Sequence, residues 1–285
     1  MSYKSILVLA FGRGDGPAIQ AGAWLAAEHG AVAHVLPVNP DIASELAASA
    51  AAFGGGVPAA AFDAAEQINR EAQTRIEKAC TAAAKQADLV LAPGLEGPRM
   101  VLHEHDRLVW SAIERACVLA DLVVMSGDLL KLEHDRAVQL AEEVLMRQRQ
   151  PLLVVRGSPE RIIGRALIAW NGRIEAARAV RAALPLCGGS WDVDISSHGD
   201  EETAARPGME ALAAYLKLHD VGAADCSRLE GEDAGQAILD ACAARDAGLL
   251  VAGAYGHSRL REFVLGGVTR TLLQATDGPS LLLAH

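Results

Sequence analysis

Short, uninterrupted apolar runs recur along the first half of the chain, and segments with helical spacing of apolar residues lie between several of them. The runs cover residues 6–10, 32–38, 89–92, 122–125 and 152–155. Continuous apolar strands are typical of a parallel sheet that is covered on both faces. Glycines at 12, 14 and 16 follow the first run, and a helix-like segment begins at Pro17. The pattern predicts strand, turn and helix in repeated order.

The same order restarts at Arg165. The predicted strands of the second half cover 166–170, 191–195, 221–226, 249–252 and 280–284, and its helices cover 174–184, 209–218, 234–244 and 268–274. Five strands alternating with helices in each half predict two tandem doubly wound α/β domains, each with a five-stranded, mostly parallel sheet. We expect these domains at 1–157 and 164–285, joined by a linker at 156–164. The low-complexity stretch 43–62 is expected to form an inserted loop or irregular helix.

The amino-acid composition and net charge exclude several classes of protein. The 285 residues are 51% hydrophobic and 22% charged, which is too apolar for a disordered chain. A formal net charge of −10 argues against a nucleic-acid or anionic-membrane partner. The five cysteines are scattered and form no CxxC pair, so neither a disulfide framework nor a cysteine zinc site is indicated. We identify no transmembrane segment and no signal peptide, and expect a cytoplasmic protein.

A glycine-rich loop directly after the predicted strand 249–252 is the sharpest local motif. Gly253 and Gly256 leave room for a ligand to approach the backbone, while Gly266 and Gly267 open a helix with free N–H groups. Those amides, together with Arg259, suit a phosphate. Turn formation and close packing explain the glycines equally well, so the motif alone leaves both interpretations open.

The spacing Gly253-x-x-Gly256, nine residues, Gly266 resembles the signature of universal stress proteins. The resemblance extends to 168–172 and 278–283, and more faintly to the whole first half. It implies a tandem protein with an adenine nucleotide alpha hydrolase-like fold. It also implies binding of ATP or AMP, with magnesium accompanying ATP, and no well-defined reaction. Because family dimers join through the final strand, it further implies pairing of 152–155 with 281–283 as a pseudo-dimer, and a homodimer of chains.

The resemblance assigns nucleotide-binding positions residue by residue. Ala169, Trp170 and Asn171 would meet the adenosine, although the family usually carries Asp there and Asn171 is equally suited to forming a turn. Gly267 stands where the family has Ser or Thr; Thr269 either replaces that hydroxyl or is an ordinary first-turn residue of the helix. The remaining positions at the loop are Gly253, Gly256, His257, Arg259, Gly266 and Val268.

The first half departs from this motif. After 122–125 comes Ser126-Gly127-Asp128 with no second glycine at the required distance, so we predict no nucleotide site in the first domain. The glycines at 12, 14 and 16 only weakly resemble a dinucleotide fingerprint. Asp15 or Gly16 as the cap of a helix that starts at Pro17 explains that segment without a ligand.

Other candidate chemistry is weaker. His103-Glu104-His105-Asp106 could hold a metal, but it lacks an identifiable third ligand, and Asp106 suits a helix cap; we predict no metal site. Asp192, Asp194 and His198 are expected to be solvated turn residues. The sequence contains no Gly-x-Ser-x-Gly elbow, HExxH or Walker loop, so no catalytic residue is assigned.

Three functions stay open at this point. The first is a stress-response protein that binds an adenine nucleotide in the second domain and acts as a regulator or sensor. The second is a scaffold that has lost nucleotide binding, which Asn171 and Gly267 favour. The third is a weak ATP-hydrolysing or adenylate-forming enzyme, which needs an acid such as Asp192, Asp194 or Asp225 to hold magnesium.

Overall fold

The computed structural model describes residues 2–40, 42–52, 58–106, 108–187, 191–199, 206–256, 267–275 and 277–285. The chain forms two compact units, Tyr3–Ser126 and a second one that comprises Gly127–His285. This division falls earlier in the chain than the predicted domain boundary at 157–164, and it groups the segment 127–157 with the second unit. The predicted domains 1–157 and 164–285 stay a prediction about sequence repeats.

The first unit contains a parallel sheet of five described strands. They are β1 (Ser5–Ala10), β2 (Val32–Pro37), β3 (Val90–Leu91), β4 (Arg99–Leu102) and β5 (Leu122–Ser126), in the spatial order β3-β4-β2-β1-β5. Every residue of β5 is buried, as its continuous apolar run predicts. Strand β4 is absent from the predicted set because Arg99 interrupts a short apolar run.

Four helices of the described chain accompany this sheet: α1 (Gly16–His29), α2 (Ile42–Ala52), α3 (Ala59–Gln86) and α4 (Val109–Cys117). The stretch expected to be a loop or irregular helix thus contains α2 and the beginning of α3. Asp15 occupies the N-cap position of α1, but its carboxylate makes no cap hydrogen bond. It accepts instead from the N–H groups of Phe11 at 2.8 Å and Gly12 at 2.6 Å. The Asp15 side chain therefore stabilises the loop that precedes the helix.

Helix α3 packs directly on the first glycine of that loop. A β-carbon at Gly12 would lie 2.4 Å from the β-carbon of Ala72, and Arg75 Nε donates to the Gly12 carbonyl oxygen. The backbone of Gly12 is therefore in contact with protein, and glycine is needed there for helix packing. This contact supports the structural interpretation of the three-glycine segment.

The second unit contains one strand that runs antiparallel to its neighbour in an otherwise parallel set of strands. The strands are β6 (Leu152–Val155), β7 (Arg165–Ala169), β8 (Asp192–His198), β9 (Ala223–Leu229), β10 (Leu249–Gly253) and β11 (Ser280–Ala284). Their order is β6-β11-β10-β7-β8-β9. Strand β6 runs antiparallel to β11, with Leu153 opposite Leu282, so the predicted pairing of these two segments is confirmed. Both units are doubly wound α/β folds, as predicted.

Six α-helices belong to the described part of this unit: α5 (Asp128–Leu132), α6 (His134–Glu142), α7 (Ile174–Ala183), α8 (Met209–Lys217), α9 (Ala234–Ala244) and α10 (Gly267–Gln274). A π-helical turn at Glu143–Arg147 and two short 3-10 helices at Pro159–Ile162 and Leu184–Leu186 accompany them. Their apolar residues cover strands that are buried along most of their length, such as β10 and β11. Among the described residues, no helix combines the length and the apolar character that crossing a membrane requires.

Strand β8 extends further than the predicted 191–195. Asp192, Asp194 and His198 lie within it, so the expectation that they are solvated turn residues is wrong. The prediction ended at residue 195 because the polar residues Ser196, Ser197 and His198 do not continue the apolar pattern. Because β8 pairs with β7 on one side and β9 on the other, polar residues on it can be buried and paired across strands.

Candidate functional site

A cavity of about 510 Å³ opens at the carboxyl ends of β7, β8 and β10 in the second unit. The starts of α9 and α10 form its other walls. In open α/β sheets, ligands bind outside the carboxyl ends of the strands, where loops and helix N-termini meet. The volume is within the range of small-molecule pockets, roughly 300–1,000 Å³.

Eight of the predicted nucleotide-binding residues line this cavity. They are Ala169, Trp170, Asn171, Gly253, Gly256, Gly267, Val268 and Thr269. The fold therefore brings together two sequence segments that are more than 80 residues apart. His257, Arg259 and Gly266 lie outside the described residues. Ligand contact by any of these residues stays a prediction.

Gly253 ends β10 where the start of α7 passes very close to it. A β-carbon at this position would lie 2.5 Å from the backbone nitrogen of Ala176 and 2.8 Å from the carbonyl carbon of Glu175. Packing between strand and helix is therefore sufficient to require glycine here. At Gly267, by contrast, an added β-carbon meets no atom of the described residues within 4 Å, so it has space on the side of those residues.

Asn171 forms the turn between β7 and α7. Its Oδ1 accepts the backbone N–H of Arg173 at 3.1 Å, and Gly172 has a φ of +69°. This is the turn-forming role that the sequence left as an alternative to ribose binding. Arg173 then donates from Nη1 to the carbonyl oxygen of Gly256 at 3.0 Å, which ties the glycine segment to the start of α7.

Thr269 supports the same segment from the other side. Its side chain is 3% exposed, and Oγ1 accepts the backbone N–H of Tyr255 at 3.3 Å. Tyr255 itself has a φ of +60°, an uncommon conformation for a residue with a bulky side chain. Burial and the Glu142 carboxylate raise the pKa of the Tyr255 hydroxyl. Thr269 thus holds a strained backbone position beside the cavity, rather than acting only as a first-turn residue of α10.

Trp170 lies at the opposite wall. It is 7% exposed, and its Nε1 donates to the carbonyl oxygen of Pro207 at 2.9 Å. Its backbone N–H donates to the Ser196 carbonyl oxygen, which continues the pairing of β7 with β8 beyond Ala169. The indole N–H is therefore satisfied by the protein, and the ring contributes apolar surface to the cavity.

Several lining residues were not among the predicted nucleotide-binding positions. Ser196 and His198 come from β8, Tyr255 precedes Gly256, and Glu232 and Asp233 precede α9. The available signal was position alone, since polar residues at the carboxyl end of a parallel strand lie at the ligand-binding edge. Asp233 caps α9 by accepting from Gly235 N at 2.8 Å and Gln236 N at 3.1 Å.

The acids considered for magnesium are paired with arginines. Asp192 accepts from Arg165 at 2.5 Å. Asp194 and Asp225 lie 3.5 Å and 3.6 Å from Arg245. Burial raises the pKa of Asp194, and the Arg245 charge opposes that effect. Asp192 begins β8, at the edge of the parallel sheet opposite the cavity. These pairs give the three carboxylates a structural role.

The histidine cluster of the first unit has internal partners as well. Asp106 accepts the Leu108 N–H at 2.8 Å and pairs with Arg115 at 2.5 Å. His105 donates from Nε2 to the Asn39 carbonyl oxygen, and His103 contacts His34 at 3.1 Å. Within the described ranges, no group of three or more His, Cys, Asp or Glu side chains is arranged to hold a metal ion.

Comparison with known proteins gives a family and a fold. The family model described as "Universal stress protein family" matches residues 132–283. A universal stress protein from Archaeoglobus fulgidus DSM 4304 is similar in structure, with a TM-score of 0.66 and 13% identity, covering 98% of this chain and 95% of that one. A protein of unknown function from Pseudomonas aeruginosa PAO1 has a TM-score of 0.57 and 16% identity, with 99% and 92% covered. No curated relative matches the sequence.

Proposed function

Because this chain belongs to the universal stress protein family, we propose that the cavity of its second unit binds an adenine nucleotide, ATP or AMP, and that the protein works as a regulator or sensor. The observation that carries the proposal is the cavity itself. It gathers the turn after β7, the glycines that end β10 and the start of α10 around one opening of about 510 Å³.

The start of α10 provides the phosphate end of the proposed site. The first N–H groups of a helix have no partner within it and carry a partial positive charge, which favours anions. Gly267 and Val268 are in this position and line the cavity. Ala169 and Trp170 would contact the adenosine at the end of β7. Gly267 cannot supply the hydroxyl that the family has, so phosphate affinity would rest on backbone amides.

Regulation rather than catalysis is supported by how the acids are used. Asp192, Asp194 and Asp225 pair with arginines, and Asp233 caps α9. Among the described cavity residues, Glu232 is then the carboxylate without such a partner, and it is the position at which the enzyme alternative would hold magnesium. A sensor needs only that the nucleotide favours one state of the protein over another.

Identification of co-purified nucleotide tests the proposal. The protein is purified, denatured, and its released small molecules are separated by chromatography; calorimetric titration with ATP, ADP and AMP follows. We expect about one adenine nucleotide per chain, and a rise in melting temperature when saturating nucleotide is added. The absence of both a released nucleotide and a titration heat would contradict nucleotide binding and favour the scaffold alternative.

A pair of glycine variants locates the site. Gly267→Val adds bulk at the cavity wall where an added β-carbon meets no atom of the described chain within 4 Å, so the fold should persist while nucleotide affinity falls at least tenfold. Gly222→Val is the matched control, because Gly222 also has open space but does not line the cavity. Equal affinities in the two variants would place the nucleotide elsewhere. Slow ATP hydrolysis that is lost in Glu232→Gln would instead favour the enzyme.

A further inference from the structure

We propose that Ser196 and His198 select the base of the bound nucleotide, with Ser196 donating a hydrogen bond to a ring nitrogen and His198 accepting one from an exocyclic amino group. This inference rests on the proposed function, since it assigns the base-reading residues of the same cavity. The pair is matched to adenine, whose edge presents an acceptor nitrogen beside an amino donor.

Both side chains lie on the cavity face of β8. Residues two apart in a strand share a face, so Ser196 and His198 point to the same side and Ser197 to the other. Ser196 and His198 line the cavity, whereas Ser197 does not. In the pairing of β7 with β8, Ser196 lies opposite Ala169, which is a predicted adenosine contact. The two polar groups are therefore next to the expected position of the base.

The tautomer of His198 is determined by its neighbour. Its Nε2 lies 2.8 Å from the carbonyl oxygen of Gly231, which can only accept a hydrogen bond. Nε2 therefore carries the proton, and in the neutral ring Nδ1 is left as an acceptor. The same hydrogen bond holds the ring against the loop that leads into α9.

A chain of hydrogen bonds lies behind the Ser196 hydroxyl. Arg245 donates from Nη2 to Ser227 Oγ at 2.8 Å, and Ser227 Oγ lies 3.0 Å from Ser196 Oγ. Because the guanidinium occupies one acceptor position of Ser227 and repels its proton, the Ser227 proton is free to point toward Ser196. In the proposed arrangement Ser227 donates to Ser196, and Ser196 donates its own proton to an acceptor in the cavity.

Arg245 is held in place by two carboxylates. Its Nε is 3.5 Å from Asp194, which is 5% exposed, and its Nη2 is 3.6 Å from Asp225. A buried carboxylate is stable only when its charge is compensated, so Asp194 anchors the guanidinium. Arg245 and Ser227 are positioning residues in this arrangement: they touch no ligand and act through Ser196.

The inference is tested on the full-length protein with ATP analogues that each lack one hydrogen-bonding group of the base. Affinities are measured for ATP, for 1-deaza-, 3-deaza- and 7-deaza-ATP, and for purine riboside triphosphate, which lacks the amino group. We expect one deaza analogue to bind about three- to tenfold more weakly than ATP, as the loss of one hydrogen bond predicts. In Ser196→Ala this penalty should disappear, while Ser197→Ala, the matched control on the opposite face, should keep it.

His198 and Ser227 are tested by separate affinity measurements. His198→Leu should remove the preference for ATP over purine riboside triphosphate. Ser227→Ala should reduce the deaza penalty without changing the affinity for the deaza analogue itself, a result that general loss of structure would not produce. Melting temperatures show whether each variant folds.

The outcomes separate this inference from the proposed function. If the wild-type protein binds ATP but the deaza penalties are the same in Ser196→Ala and Ser197→Ala, base selection by Ser196 is wrong and nucleotide binding stands. If the wild-type protein binds none of the nucleotides, both are wrong.

Discussion

At the scale of single residues, polar side chains near the two glycine segments act mainly on the backbone around them. The side chain of Asn171 accepts a hydrogen bond from the backbone N–H of Arg173, and that of Thr269 accepts one from Tyr255. The Asp15 carboxylate accepts the N–H groups of Phe11 and Gly12. Each of these contacts fixes a loop beside the end of a strand. Sequence position identified the loops, but the partner atoms depend on how each turn folds back on itself.

The raised pKa of Asp15 predicts how the stability of the protein depends on pH. Burial of Asp15 raises its pKa from 3.8 to about 6. The folded state therefore holds this proton more tightly than the unfolded state, so the contribution to stability is complete below pH 3.8 and is lost as pH rises through 6. The difference corresponds to roughly 3 kcal/mol. Relative to Asp15→Asn, the wild-type protein should lose stability between pH 4 and pH 7.

Denaturant unfolding of both proteins across this pH range is the measurement. The Asn side chain keeps an acceptor for one of the two N–H groups and cannot ionise, so it isolates the titration of Asp15. A stability difference that stays constant, or that moves in favour of the wild-type protein as pH rises, would show that the two N–H groups stabilise the carboxylate more than burial penalises it.

At the scale of elements, the contact between β10 and α7 determines which glycines of the motif are structural. Gly253→Ala should lower the free energy of unfolding by about 1–3 kcal/mol, because its β-carbon would overlap the backbone at Glu175 and Ala176. Gly267→Ala has free space and lies in a helix, so it should be neutral or stabilising. Thermal melting of the two variants compares them directly. Equal melting temperatures would mean that α7 can move away from β10.

A second element-scale prediction concerns β2 and the segment that follows β4. His34 Nδ1 and His103 Nε2 are 3.1 Å apart, and burial lowers the pKa of both rings; the charge of His103 lowers that of His34 further. Folded-state pKa values below 6.5 mean that the unfolded state binds these protons more tightly. The stabilisation is present above pH 6.5 and is lost as pH falls through the lowered values.

The double variant His34→Gln, His103→Gln should flatten the fall in stability between pH 6.5 and pH 5. The sign is opposite to that of Asp15, so the two effects can be separated in the same unit. An unchanged acid dependence in the double variant would show that the rings are solvated enough to titrate normally.

At the scale of the whole molecule, strand β6 belongs with the second unit through its antiparallel pairing with β11. Arg156 follows β6, is 8% exposed, and donates to the carbonyl oxygens of Leu272 and Pro279. Burial lowers its pKa to about 10, so the guanidinium stays charged at neutral pH. The segment before the predicted linker thus contributes both a strand that pairs with β11 and a cap for the end of α10.

Two truncated proteins test this assignment. A chain of residues 127–285 should unfold cooperatively, whereas a chain of residues 158–285 should aggregate or melt at lower temperature, because β11 loses β6, one of its two strand partners, and Arg156 is removed. Circular dichroism melting and gel filtration measure the difference. Equal behaviour of the two chains would support the boundary predicted from the sequence repeats.

Local sequence patterns were sufficient to predict the class of fold, most strands and the glycine segment of the site. Continuous apolar runs report burial on both faces of a parallel sheet, and this information is local, so it can be read without knowing what packs against each run. The carboxyl-terminal part of β8, residues 196–198, was not predicted because its residues are polar, and β4 was not predicted because it is short and begins with Arg99.

Contacts between residues that are distant in the sequence depend on how the strands and helices are arranged in space. Trp170 hydrogen-bonds to Pro207, and Arg173 hydrogen-bonds to Gly256. Ser196 hydrogen-bonds to Ser227, which in turn accepts a hydrogen bond from Arg245. These pairs are set by the strand order β10-β7-β8-β9 and by the return of each helix to the sheet, neither of which is encoded in a short window of sequence. Local pattern therefore indicated where a site would lie, while sheet order selected the side chains that surround it.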